Sequence, residues 1–131
     1  MKIHHIGIAV PSIAEDGDAY CRALNLPPIG AIVTDETQKV RVAFVRVDGD
    51  VHVEFIEPLG HDSPIHGVLR QGGGVYHICY SVPDIAATIE QIKTAGGILV
   101  SGPVAAPAFD GRRIAFCYTG HSLLELVETP D

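Results

Sequence analysis

His5-Ile6-Gly7-Ile8-Ala9-Val10-Pro11-Ser12-Ile13-Ala14 returns 72 residues later as His77-Ile78-Cys79-Tyr80-Ser81-Val82-Pro83-Asp84-Ile85-Ala86, identical at six of ten positions. Arg41-Val42-Ala43-Phe44 returns as Arg113-Ile114-Ala115-Phe116 at the same offset. Val53-Glu54-Phe55-Ile56-Glu57 returns as Leu124-Glu125-Leu126-Val127-Glu128 at an offset of 71. Self-similarity of this kind decides the fold before any short motif does: one module is written twice. Each copy carries a His near its start and a Glu near its end, 49 residues apart in the first and 48 in the second. Two copies facing each other would bring two imidazoles and two carboxylates together. That is a mixed nitrogen and oxygen ligand set suited to a divalent metal.

The bulk numbers narrow the class. At 131 residues the chain reads as one domain, because halves of about 65 residues bury too little apolar surface to be comfortable alone. The expected organisation is a single domain over residues 1–131, made of a module at 1–60 and a module at 75–131, joined by a linker at 61–74. With 47% apolar and 19% charged residues, the chain is globular and not disordered. A net charge of −7 and only nine basic residues argue against a nucleic-acid partner. There is no long apolar run, and the N-terminus enters a strand pattern at once, so neither a membrane span nor a signal peptide is expected. Cys21, Cys79 and Cys117 are scattered and odd in number. They read as small buried residues of a chain in a reducing compartment, the cytoplasm.

Periodicity gives the elements. Residues 2–10 alternate Ile6, Ile8 and Val10 against His5, Gly7 and Ala9, a strand whose second face is small except for the His. Pro11 ends it, and Ser12 with Glu15 forms a capping-box signature for a helix carrying Ile13, Tyr20 and Leu24. Asn25 and Pro27-Pro28 stop that helix. A short strand follows at 31–35, then strands at 40–47 and 51–57 about the Asp48-Gly49-Asp50 turn. In the last of these, Glu54 shares a face with His52 and Ile56. The second copy repeats the plan. A strand at 76–82 carries His77, Cys79 and Ser81 on one face. Asp84 caps a helix with Ile85, Ile89 and Ile92 inward, and Gly96-Gly97 ends it. A strand at 98–101, a Pro- and Ala-rich loop at 102–111, and a hairpin of 114–118 with 123–128 complete it. The fold class is α+β, in two tandem βαβββ modules.

Glu54 and Glu125 each sit between apolar neighbours, where an unpartnered carboxylate is costly. Paired with His5 and His77 through the repeat, they form a candidate metal quartet: His5, Glu54, His77 and Glu125. The other polar residues carry less. His4 reads as structural or exposed, and His52 as exposed more readily than as a neighbour of the site. His61, His66 and His121 fall in expected loops. Arg41 and Arg113 either receive an anionic substrate group or lie on the surface. Cys79 reads as a small wall residue.

The paired strand-helix-three-strand plan, opened by His5-Ile6-Gly7-Ile8-Ala9-Val10, resembles the vicinal oxygen chelate (glyoxalase/bleomycin resistance) superfamily over essentially the whole chain. Within it, residues 53–60 (Val-Glu-Phe-Ile-Glu-Pro-Leu-Gly), Asp62-Ser63-Pro64-Ile65 and Tyr76-His77-Ile78 resemble methylmalonyl-CoA epimerases. The resemblance implies the glyoxalase fold, two modules forming a half-barrel metal-binding cavity. It implies a divalent ion (Co, Ni, Mn or Zn) held by His5, Glu54, His77 and Glu125. It implies proton transfer through a metal-stabilised enediolate. Glu125 and Glu54 are the expected bases, since residues from related halves would flank opposite faces of the substrate. The expected partner is a small molecule, an acyl-CoA or a glutathione thioester or hemithioacetal, and the expected assembly is a homodimer. Two departures from the epimerases stand out. Gly111 is followed by Arg112-Arg113-Ile114-Ala115-Phe116-Cys117-Tyr118, without a His-Pro-Lys run. Val42 occupies a position where some epimerases carry a base carboxylate. Glyoxalase I (lactoylglutathione lyase) shares the same ligand quartet and is the first alternative. An extradiol-type dioxygenase, which needs one carboxylate and two His, and a non-catalytic binder are the others.

Overall fold

Strands form wherever the sequence alternates, and both copies place them in the same order. The computed structural model describes residues 1–129. These fall into two units, residues 5–76 and residues 1–4 with 77 onward; Pro130 and Asp131, the end of the expected second module, lie outside the described residues. The elements are β1 (Lys2–Ala9), a π-helical turn (Ile13–Gly17) leading into α1 (Asp18–Ala23), β2 (Val33–Asp35), β3 (Val40–Asp48) and β4 (Val51–Pro58). Then come α2 (Ile65–Arg70), β5 (Gly74–Val82), α3 (Ile85–Thr94), β6 (Ile98–Ala105), a 3₁₀ turn (Pro107–Phe109), β7 (Arg113–Thr119) and β8 (Ser122–Glu128). No helix among the described residues is long and apolar enough to cross a membrane.

In the unit of residues 5–76, β2 and β3 pair antiparallel, as do β3 and β4, while β1 lies parallel to β4. In the other unit β6, β7 and β8 pair antiparallel in the same succession, and β5 lies parallel to β8. The α+β class and the tandem βαβββ plan are therefore present as expected. In each unit the strands pack one face on that unit's own helix. Ile8, Val10, Ala43, Val45, Val53 and Phe55 close on Ile13 and Cys21 in the first unit. Val82, Ala115, Cys117 and Leu126 close on Ile85 and Ile89 in the second. Strand side chains alternate, so Glu54 and Glu125 are carried on the sheet face opposite each core.

Three local expectations change. The first helix opens as a π turn: Ser12 Oγ accepts from Glu15 N at 3.1 Å, but Ser12 N donates to Asp16 Oδ2, at 3.0 Å, and not to Glu15. A turn with i→i+5 bonds is wider than an α turn, and the residue brought back over the cap is one later than in a capping box. The loop expected at 102–111 is shorter, because β6 runs on to Ala105. Its pairing with β7 shifts register between Leu99 and Ser101 and again between Ser101 and Val104. Gly102, at φ +86°, falls within the second of these shifts, and a Cβ there would lie 2.5 Å from Ile114 O, so the strand passes this point only because the residue has no side chain. The linker holds α2, which includes His66, not a loop residue as expected. His66 Nε2 lies 2.8 Å from the Gly60 carbonyl.

Candidate functional site

In the first module, parallel pairing sets His5 opposite His52 and Gly7 opposite Glu54. Gly7 has no side chain, so the Glu54 carboxylate has room to turn toward His5. His5 Nε2 lies 3.2 Å from Glu54 Oε1, with the side chains 0% and 6% exposed. Phe44 is the register partner of Glu54 on β3, and its ring meets that of His5 edge-on at 5.5 Å between centroids. In the second module, His77 Nε2 lies 3.1 Å from Glu125 Oε1, with 1% and 3% exposure. Phe116 is the register partner of Glu125, and it meets His77 edge-on at 5.6 Å. Cys79, fully buried, pairs with Glu125 where Gly7 pairs with Glu54.

Each unit thus holds one buried imidazole–carboxylate pair, built the same way. Burying such groups is costly unless they are partnered or ligate a metal. His5, Glu54, His77 and Glu125 are four buried side chains of the kind that hold a metal ion. The donor chemistry fits a divalent cation of borderline softness. So does the spacing within each pair: two donors at about 2.1 Å from one ion and at right angles to each other stand about 3 Å apart.

The remaining candidates fall elsewhere. Arg41 and Arg113 are taken up by carboxylates. Arg41 Nη1 lies 3.4 Å from Glu57 Oε2, and Arg113 bonds both oxygens of Glu128 at 3.0 Å. The same carboxylates accept from the first helical N–H of each module, Ile13 N to Glu57 at 2.9 Å and Ile85 N to Glu128 at 3.4 Å. The two arginines therefore brace a strand end against a helix start, and the expectation of a substrate-receiving role gives way to this one. The hydrogen bond from Arg113 holds the Glu128 carboxyl below its ordinary range. His52 is half-buried, not exposed, with Nδ1 3.0 Å from the Asp50 carbonyl. His4 is half-buried with its ring edge-on to Phe109. Burial raises the Cys21 and Cys117 thiols, in keeping with inert core residues.

Phe44 and Phe116 are the site neighbours that the sequence reading passed over. Their signal was present: both end the repeated Arg-x-Ala-Phe run, at the strand positions facing the two Glu residues.

A model of the Glyoxalase/Bleomycin resistance protein/Dioxygenase superfamily matches residues 4–116. An ethylmalonyl-CoA/methylmalonyl-CoA epimerase from Cereibacter sphaeroides is 36% identical over 104 residues, covering 77% of this chain and 76% of that protein. The mitochondrial methylmalonyl-CoA epimerase of Homo sapiens is 35% identical over 94 residues, 70% of this chain, and the match spans 52% of the human protein. Among solved structures, a variant of Streptomyces coelicolor methylmalonyl-CoA epimerase in complex with 2-nitronate-propionyl-CoA superposes with a TM-score of 0.85 at 25% identity, over 98% of this chain and 94% of that one. The duplicated strands, the buried His–Glu pair in each copy and these likenesses agree: the chain belongs to the glyoxalase/bleomycin resistance protein/dioxygenase superfamily and is methylmalonyl-CoA epimerase-like within it.

Proposed function

We propose that the protein is a divalent-metal-dependent epimerase acting on an acyl-CoA of the methylmalonyl type. The observation that carries this is the duplicated His–Glu pair, buried and of equal spacing in both modules. In this reading the single domain brings His5, Glu54, His77 and Glu125 onto one ion, from one chain or from two chains of a cytoplasmic homodimer. These four side chains would hold the cation and would leave it able to take vicinal substrate oxygens. When bound, the cation supplies Lewis-acid stabilisation for the enediolate left by departure of the carbon-bound proton.

The chain's own groups do the rest. Glu125 and Glu54 are the proposed proton carriers, one taking the proton from the substrate carbon and the other returning it. Phe44 and Phe116 hold the imidazoles edge-on, fixing the direction of each Nε2. Burial of both pairs keeps bulk water from the exchanging proton.

Two observations favour glyoxalase I chemistry as the second reading. The first module sets a carboxylate, Glu54, beside His5, so the proposed ligands form a His/Glu/His/Glu set. The position that carries a further base in some epimerases is Val42, 5% exposed. One experiment separates the readings. The metal-free protein is loaded in turn with Co(II), Ni(II), Mn(II) and Zn(II), and each form is assayed with methylmalonyl-CoA and with the glutathione hemithioacetal of methylglyoxal. We expect epimerisation that appears on loading and disappears on chelation. Turnover of the hemithioacetal alone selects the second reading. Failure to bind any of the four ions overturns both.

A further inference from the structure

We propose that Arg112 is the anion-binding residue for the substrate's tail, taking a phosphate or carboxylate remote from the reacting carbon; this rests on the thioester-type substrate assigned above. Arg112 is half-buried. Its Nε donates to the Phe109 carbonyl at 3.2 Å, and its guanidinium lies 5.7 Å from the centre of the Phe109 ring. Phe109 is itself 5% exposed and is met edge-on by His4 at 5.2 Å. The guanidinium is therefore held in place by its backbone bond and its ring contact, and no carboxylate of the described residues pairs with it.

The other arginines show how unusual that is in this chain. Arg22, Arg41 and Arg113 each pair with a carboxylate, and Arg46 and Arg70 are exposed to water. A guanidinium has five N–H donors in a planar fork. In Arg112 only the Nε donor is spent, and the two terminal nitrogens suit the paired oxygens of a carboxylate or phosphate. A half-withdrawn charge with no counter-ion is costly, and an arriving anion relieves that cost.

Position supports the role. Arg112 stands at the entry of β7, its carbonyl accepting from Ala106 N at 3.0 Å. By strand alternation it shares a face with Ile114 and Phe116, and Phe116 faces Glu125. Four residues of strand place it about 13 Å from that point. This is too far for a group on the reacting carbon and well placed for a tail. The corresponding residue of the first module is Val40, 8% exposed. The cation is thus an addition that the duplication does not supply.

The test uses metal-loaded wild type, Arg112→Ala and Arg112→Lys. Calorimetry measures binding of coenzyme A and of glutathione separately. Kinetics compare methylmalonyl-CoA with the methylmalonyl thioester of pantetheine, which lacks the phosphates. We expect Arg112→Ala to weaken coenzyme A about tenfold and to raise KM for methylmalonyl-CoA by the same factor. Its kcat and its action on the truncated thioester should stay at wild-type values, with Arg112→Lys intermediate. A loss confined to glutathione supports the role with a carboxylate as the anion. Unchanged binding of both, or an equal loss on the truncated thioester, overturns it. A wild type that turns over neither thioester overturns the epimerase reading, while the calorimetry still decides Arg112.

Discussion

The two modules share their polar positions and differ in how they fill their cores. His5 and His77, Glu54 and Glu125, Phe44 and Phe116, and the Arg41–Glu57 and Arg113–Glu128 braces occupy matching places. In the core, Gly17 stands where the second module has Ile89, and Phe55 stands where it has Leu126. The exchange is one of volume. A Cβ on Gly17 would lie 3.4 Å from the Phe55 ring and 2.7 Å from Ile29 Cδ1, so the larger Phe55 ring uses the space that Ile89 uses in the other copy. Conserving volume while changing shape is what cores tolerate best. The helices register the consequence. With Ile85 and Ile89 buried four residues apart, α3 is regular over ten residues, whereas Gly17 closes a π turn and leaves α1 only six. A duplicated frame is thus free to drift where only packing is asked of it, and is held where chemistry is asked.

The sharpest way to break that equivalence is at the carboxylates. In Glu54→Gln and in Glu125→Gln we expect epimerisation to fall by about 10²–10⁴-fold, the range ordinarily carried by one positioned base. Deuterium exchange at the substrate carbon in D₂O should persist in the variant that retains the base for the starting stereoisomer, because removing a proton needs only one carrier. Wild-type epimerisation in Glu125→Gln would remove that residue from the mechanism and leave the modules unequal.

The next largest effect concerns the volume exchange. Phe55→Leu in the first module should cost about 1–2 kcal/mol, through lost burial and an unfilled space beside Gly17. Gly17→Ala alone should cost about 1 kcal/mol, as crowding against Ile29 outweighs the gain in helix propensity. Combined, the two should cost less than their sum by at least about 0.5 kcal/mol, since the new methyl fills what the smaller side chain vacates. Urea unfolding of the four proteins measures this. Strict additivity would show that the two residues do not share one space.

How much of this was legible beforehand depends on whether a feature was local or relational. The repeat fixed the order of strands, and alternation fixed which face carried Glu54 and Glu125, because a strand has only two faces. The caps at Ser12 and Asp84 were readable as single residues, but the π turn was not. It depends on how Gly17 meets Phe55, thirty-eight positions away. The same holds for Arg41 and Arg113. Nothing near them in sequence reveals that Glu57 and Glu128, across the hairpin, take up their charge. Arg112 was masked by its neighbour, since an Arg-Arg pair does not say which guanidinium is satisfied. Phe44 and Phe116 were visible as repeated letters. Their contact with the imidazoles needed the register that places them opposite Glu54 and Glu125.

The smallest expected effect is a change with pH at the second brace. Glu128 is held below the ordinary carboxyl value of 4.5 chiefly by its hydrogen bond from Arg113, with the Ile85 N–H and the charge of Arg113 adding to it and burial opposing. A carboxyl lowered on folding contributes stability that is fully present above its unfolded value and is lost as pH falls through its folded one. Glu128→Gln should therefore be less stable than wild type near neutral pH, and the difference should shrink steadily as the solution is acidified below about pH 4.5. Urea midpoints taken at intervals from pH 7 to pH 3 would show the two curves converging. A gap that stays constant across that range would mean that Glu128 acts through shape alone. The charge on Arg113 would then have no part in holding β8, and with it Glu125, against the start of α3.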